Sequence, residues 1–113
     1  MRVISVEQLT RVLAGLPENP RVVASGNFAT PNVLLSAVED VVPEYRLHML
    51  NAQRGIPDRP GVTYETAFVG PGMRNSPRLV YIPCRLSLVP VLFRDHFRPD
   101  VVLLHACCLG TPP

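Results

Sequence analysis

The chain has 113 residues, of which 47% are hydrophobic and 18% are charged, and its formal net charge is +2. This length fits one small domain, and the balanced charge without an arginine block excludes a dedicated nucleic-acid or acidic-membrane surface. No apolar run approaches the roughly 18 residues of a membrane-spanning helix. The N-terminus also lacks the basic-then-apolar pattern of a secretion signal, so the sequence predicts a cytoplasmic protein.

The first predicted element is a helix over residues 6–14. Ser5 and Gln8 have the spacing of a capping box, in which each residue satisfies a free backbone N–H of the other. Gly15 ends the helix, and Pro17 and Pro20 prevent its continuation. This segment therefore predicts an amphipathic helix that packs on the remaining structure.

The next stretch predicts a strand over residues 21–25, a turn led by Gly26 and Asn27, and a helix. Thr30 is the expected N-cap and Pro31 the first helical residue, because proline fixes φ near the helical value. A strand, a glycine turn and a helix N-terminus gather backbone N–H groups at one point, which favours an anion or a carbonyl oxygen. The alternative is that Gly26 only permits a tight turn between strand and helix.

The rest of the chain predicts strands over residues 45–51, 62–69, 79–82 and 101–105. A loop fills residues 52–61, and a helix capped by Ser87, with Pro90 in its first turn, spans residues 87–94. Glu65 lies in an alternating stretch and is expected to face solvent or a partner. Apolar strands separated by helices predict an α/β fold: a mostly parallel sheet with helices on both faces.

The candidate chemistry lies at the carboxyl ends of the predicted strands, where ligands bind in open parallel sheets. His105 ends a strand and is either a base or an edge histidine. Arg74, Arg78 and Arg85 could hold a phosphate or could simply be solvated. His48, His96 and the cysteines (Cys84, Cys107 and Cys108) lack the spacing of a metal site. The residues themselves give no complete catalytic set.

Short motifs in a fixed order nevertheless resemble the N-terminal domain of the acetyl-CoA hydrolase/transferase family, which includes the 4-hydroxybutyrate CoA-transferases. The resemblance covers residues 5–105. Its motifs are Gly26-Asn27-Phe28-Ala29-Thr30-Pro31, Phe68-Val69-Gly70-Pro71 with Met73-Arg74, Tyr81-Ile82-Pro83 with Leu86-Ser87, Pro90-Val91-Leu92-Phe93, and Asp100-Val101-Val102-Leu103-Leu104-His105.

The resemblance implies two similar α/β domains with an active site between them. Such enzymes transfer coenzyme A between an acyl group and a carboxylate, or to water, through a glutamyl-CoA thioester. The thioester is a substrate, and no covalently bound cofactor is implied. This chain would contribute one wall of the cleft and backbone N–H groups for an oxyanion. The residues expected in that wall are Gly26, Asn27, Thr30, Gly70, Met73, Arg74 and Ser87.

The resemblance also implies an incomplete enzyme, because the family's nucleophilic glutamate lies in a C-terminal domain. Residues 106–113 diverge from the family, which predicts a single truncated domain over residues 1–113, as from a frameshift near residue 106. The expected partners are a C-terminal domain or a homologous subunit, together with acyl-CoA, and exposed apolar surface predicts self-association. Two alternatives stay open: a non-catalytic binding or regulatory module that pairs with a paralogue, and an independent nucleotide-binding domain.

Overall fold

The computed structural model describes residues 2–106 and contains three α-helices and five strands in that part of the chain. The predicted tail, with Cys107 and Cys108, lies almost entirely outside the described residues. The helices are α1 (Val6–Ala14), α2 (Asn32–Val41) and α3 (Val89–Asp95). The strands are β1 (Arg21–Ala24), β2 (Tyr45–His48), β3 (Val62–Thr66), β4 (Leu79–Tyr81) and β5 (Val101–Leu103).

All five strands are parallel and lie in the order β4-β3-β2-β1-β5. The predicted α/β class with a parallel sheet is therefore confirmed. Each strand ends one to three residues earlier than predicted, because the chain leaves the sheet to form tightly packed loops. The carboxyl ends of all five strands lie at one edge of the sheet, called here the carboxyl edge, and their starts lie at the opposite, amino edge.

The first face of the sheet carries the apolar core. Val22, Leu47 and Tyr64 share one row across β1, β2 and β3, and none of them is exposed to solvent. Leu13 of α1 and Leu35 of α2 belong to the same buried cluster. Complete burial of such side chains stabilises the fold by about 1.5–3 kcal/mol each. Helices α1 and α2 therefore cover this face.

The second face is covered in part by α3 and carries a different set of side chains. Successive strand residues point to opposite faces, so His48 points away from the core row of Leu47. The His48 ring meets the Phe93 ring of α3 edge to face, with 4.7 Å between centroids. In the same row, Val80 and Val102 on the two outer strands remain about half exposed. The seven-residue helix α3 thus covers only the middle of this face.

The helix caps were predicted with mixed success. The capping box of Ser5 and Gln8 and the Gly15 C-cap are confirmed. The prediction that Thr30 caps α2 was wrong: Pro31 is the N-cap, and the Thr30 hydroxyl donates to the Asn27 carbonyl at 2.8 Å. Ser87 does not cap α3 either, because it lies inside a 3₁₀ turn that precedes the helix.

Candidate functional site

The carboxyl edge is built by loops that contact one another through their backbones. Gly26 follows β1 and packs on the segment after β2: a Cβ atom at Gly26 would come within 1.8 Å of the Leu50 carbonyl oxygen. Gly70 follows β3 and lies on the same segment, where a Cβ would come within 2.5 Å of the Ala52 nitrogen. Only glycine permits approaches of this kind. The glycines therefore join three loops into one surface.

Two asparagines hold this surface together. Asn27 and Asn51 have φ values of 53° and 50°, in the left-handed region that asparagine tolerates better than most residues. The Asn27 N–H donates to the Asn51 carbonyl at 3.3 Å, and the Asn51 side-chain amide donates to the Asn27 side-chain oxygen. Asn51 was not among the predicted site residues. Its signal in the sequence was an asparagine at the very end of the predicted strand over residues 45–51, because asparagine favours turns.

Further backbone hydrogen bonds connect the loop after β2 to the loop after β3. The Asn51 N–H donates to the Phe68 carbonyl at 2.9 Å, and the Gly72 N–H donates to the Ala52 carbonyl at 2.8 Å. The Met73 N–H donates to the Gly70 carbonyl at 3.1 Å. The N–H groups of Asn27, Gly72 and Met73 are thus bonded within the protein. This arrangement favours the interpretation that Gly26 serves the turn itself over its use as an open anion cradle.

The structure brings four of the seven predicted site residues together and places the other three, Met73, Arg74 and Ser87, in different surroundings. Gly26, Asn27, Thr30 and Gly70 lie together in the joined loops. Met73 is completely buried and belongs to the core cluster of the first face, whereas Arg74, the next residue, is exposed. Ser87 is exposed in the 3₁₀ turn before α3. Its side chain makes no hydrogen bond within residues 2–106.

The carboxyl edge has a distinctive charge. The segments that directly follow the five strands (residues 25–31, 49–57, 67–77, 82–88 and 104–106) contain no aspartate or glutamate. They contain the exposed arginines Arg54, Arg74 and Arg85, and the exposed His105. None of these four side chains joins the ion pairs found in residues 2–106. This edge therefore favours anionic ligands and offers no carboxylate nucleophile.

A buried polar layer lies on the second face, beneath α3. Glu65 is only 3% exposed and accepts from the Arg21 guanidinium, with Nε at 3.0 Å from Oε1 and 3.3 Å from Oε2. The Arg21 guanidinium also lies 5.0 Å from the centre of the Phe97 ring. The prediction that Glu65 faces solvent or a partner protein was wrong. Its carboxylate is buried within the domain and pairs with Arg21, which lies 44 residues earlier in the chain.

His48 belongs to the same layer and is 1% exposed. Neither ring nitrogen has a hydrogen-bond partner among the described residues. Burial lowers the pKa of His48, the Glu65 carboxylate opposes that change and the Arg21 guanidinium adds to it. The imidazole is therefore held neutral inside the layer, where α3 separates it from solvent.

The amino edge is held by side chains. Arg59 pairs with Glu39 of α2 and donates to the carbonyls of Val42 at 3.0 Å and Pro43 at 2.7 Å, which satisfies the end of that helix. The Tyr45 hydroxyl donates to the other Glu39 oxygen at 2.6 Å. Burial, followed by this bond to a carboxylate, raises the pKa of Tyr45.

At the carboxyl edge, within residues 2–106, no serine or cysteine side chain is hydrogen-bonded to a histidine or carboxylate side chain; the Ser25 hydroxyl donates to the Ala29 carbonyl and accepts from the His105 backbone N–H at 3.4 Å. No group of three or more metal-ligating side chains is found in this part of the chain. None of its helices has the length and hydrophobicity needed to span a bilayer. No protein-family model matches the sequence, and no curated protein gives a significant match.

Proposed function

We propose that this chain acts as the N-terminal half of an acyl-CoA:carboxylate CoA-transferase or acetyl-CoA hydrolase, where it forms one wall of the cleft. The carboxyl edge is the observation that carries the proposal. Its joined loops bring Gly26, Asn27, Thr30 and the buried Gly70 together at an edge that carries exposed arginines, and these loops contain no carboxylate. Such a wall suits the phosphates of coenzyme A but needs a nucleophile from elsewhere.

The complementary half would supply the glutamate that forms the thioester. Catalysis needs the nucleophile within attack distance of the substrate, so the chain is expected to be inactive by itself. In this proposal Arg74 contributes charge to the cleft, and the Asn27–Asn51 pair keeps the loops in position. The predicted truncation and the C-terminal partner belong to the same proposal.

The test is a complementation assay. The chain is mixed with a separately expressed C-terminal domain of a 4-hydroxybutyrate CoA-transferase, and transfer from acetyl-CoA is measured. Turnover in the mixture, with neither component active alone, supports the proposal. In the mixture, Arg74→Ala is expected to lower kcat/KM about tenfold, the effect of losing one hydrogen bond to a charged group. Arg11→Ala removes an exposed arginine from α1 as the matched control. Turnover by the chain alone would contradict the proposal.

A second candidate function is a non-catalytic module that pairs with a paralogue or a separate domain. The observation that favours it is the second face, where α3 leaves Val80 48% exposed and Val102 53% exposed. Leu88, the N-cap of α3, and Val91 within this helix are also exposed apolar residues. Stable binding of the C-terminal domain without turnover would favour this module, and a monodisperse monomer by light scattering would argue against the associated prediction of self-association.

A further inference from the structure

An open cleft of about 470 Å³ lies at the amino edge, where the ends of α1 and α2 meet the segments that lead into β1 and β2. Its volume falls in the range of small-molecule sites. Its floor is apolar and buried, formed by Leu13, Pro20 and Val42, and its walls include the half-buried Leu16 and Val41. The cleft can therefore cover the apolar body of a ligand.

The rim of this cleft is acidic. Glu18 and Glu44 are the charged residues among those that line it, and both are exposed. Neither carboxylate joins the ion pairs found in residues 2–106. The neighbouring Arg59 lies outside the lining, pairs with Glu39 and also lies close to Glu44. Because the three carboxylates of Glu18, Glu39 and Glu44 outnumber this one guanidinium, the rim keeps a net negative charge beside an apolar floor.

We propose that this cleft binds a protonated amine carried on an apolar stem. The stem would lie on Leu13 and Val42, and the ammonium would take its place between Glu18 and Glu44 at the rim. An ammonium donates up to three hydrogen bonds and can serve both carboxylates. The same chemistry is presented by a free alkylamine and by the lysine side chain of a partner protein.

A second copy of this chain could not supply such a lysine, because none of its 113 residues is lysine. The proposal is independent of the CoA-transferase function. The amino edge lies at the opposite end of the strands from the joined loops, so failure of the complementation assay would leave this proposal standing, and the reverse also holds.

The test uses the full chain and methyl NMR spectroscopy. Hexylamine is titrated into the protein, with hexanoate and hexanol as matched controls of similar length. The expected result is a saturable shift of the Leu13, Leu16, Val41 and Val42 methyl signals, with a Kd on the order of 1 mM. Hexanol should bind more weakly, and hexanoate should bind weakest because the rim repels it.

Substitutions then separate the charge from the fold. The double variant Glu18→Gln with Glu44→Gln is expected to weaken hexylamine binding about fivefold, since each exposed carboxylate contributes a modest attraction. Glu7→Gln, which removes one carboxylate from the far end of α1, should leave binding unchanged. Unchanged methyl positions in the unliganded double variant verify that the cleft still forms.

Two short peptides distinguish the sources of the amine. One carries lysine between leucines, and the other carries norleucine in its place. Binding of hexylamine supports a free amine, and binding of the lysine peptide alone supports a partner side chain. The proposal is overturned if neither binds, if hexanoate binds as well as hexylamine, or if the double variant binds hexylamine as tightly as the wild type.

Discussion

The two edges of the sheet are built by different physical means. At the carboxyl edge, backbones touch directly through Gly26 and Gly70, and the exposed charges are basic. At the amino edge, side chains such as Arg59 bridge the segments, and an acid-rimmed cleft stays open between them. At the carboxyl edge, any added side-chain atom at these glycines clashes with the neighbouring backbone, so a substitution there should be costly. At the amino edge, a substitution removes only the contacts of the side chain that is changed.

The largest expected effect of the edge variants is at Gly26. The change Gly26→Ala would place a Cβ within 1.8 Å of the Leu50 carbonyl oxygen, so the two loops must separate. We expect a loss of about 3 kcal/mol in the free energy of unfolding, measured with urea. Gly15→Ala is the control, because its nearest contact would be 3.5 Å away and its φ is −85°. Equal losses in the two variants would contradict the account of the carboxyl edge.

A smaller effect is expected at Asn51, where two variants separate two causes. Asn51→Gly keeps the left-handed backbone accessible and removes the side-chain bond to Asn27, for a loss of about 1 kcal/mol. Asn51→Ala removes the same bond and adds the cost of a positive φ, for a total of about 2 kcal/mol. Urea unfolding of both variants measures the difference. If alanine is no worse than glycine, the left-handed conformation has no energetic weight here.

A substitution at the amino edge should lower the free energy of unfolding less than Gly26→Ala does, and its effect should depend on the salt concentration. Glu39→Gln weakens the pairing with Arg59, whose side chain is 33% exposed, and is expected to cost about 1 kcal/mol at low ionic strength. The loss should shrink in about 1 M NaCl, because salt screens partly exposed charges. The Gly26→Ala loss should not shrink, and a salt dependence shared by both variants would remove the distinction between the edges.

The smallest and most gradual effect is expected from pH, through the polar layer between the two edges. Because the folded state lowers the pKa of His48, the unfolded chain binds the proton more readily. Stability should therefore be unaffected by His48 well above about pH 6.5 and should fall as pH drops through that value.

The slope from this one group cannot exceed about 1.4 kcal/mol per pH unit. His48→Phe should flatten the pH dependence of urea unfolding between about pH 5 and 7. His96→Gln, at an exposed histidine, is the matched control and should leave it unchanged. A steep dependence that persists in His48→Phe would place the titration elsewhere.

Local features of the fold could be predicted from the sequence, and long-range features could not. The capping box of Ser5 and the strand, glycine turn and helix around Gly26 depend on neighbouring residues, so their pattern is visible in the chain. The burial of Glu65 depends on Arg21, and the role of Gly26 depends on the Leu50 carbonyl. Both partners are distant in sequence. Thr30 also shows that a good N-cap residue can be used instead by a 3₁₀ turn.

Backbone amide NMR of the full chain can show where coenzyme A binds. We expect saturable shifts in residues 26–30 and 70–74, at the carboxyl edge, and unchanged signals from Glu18 and Glu44 at the acidic amino edge. Arg74→Ala should weaken those shifts. Shifts centred on the amino edge, or no saturable shift at the carboxyl edge, would contradict the claim that this edge is the wall of a CoA cleft.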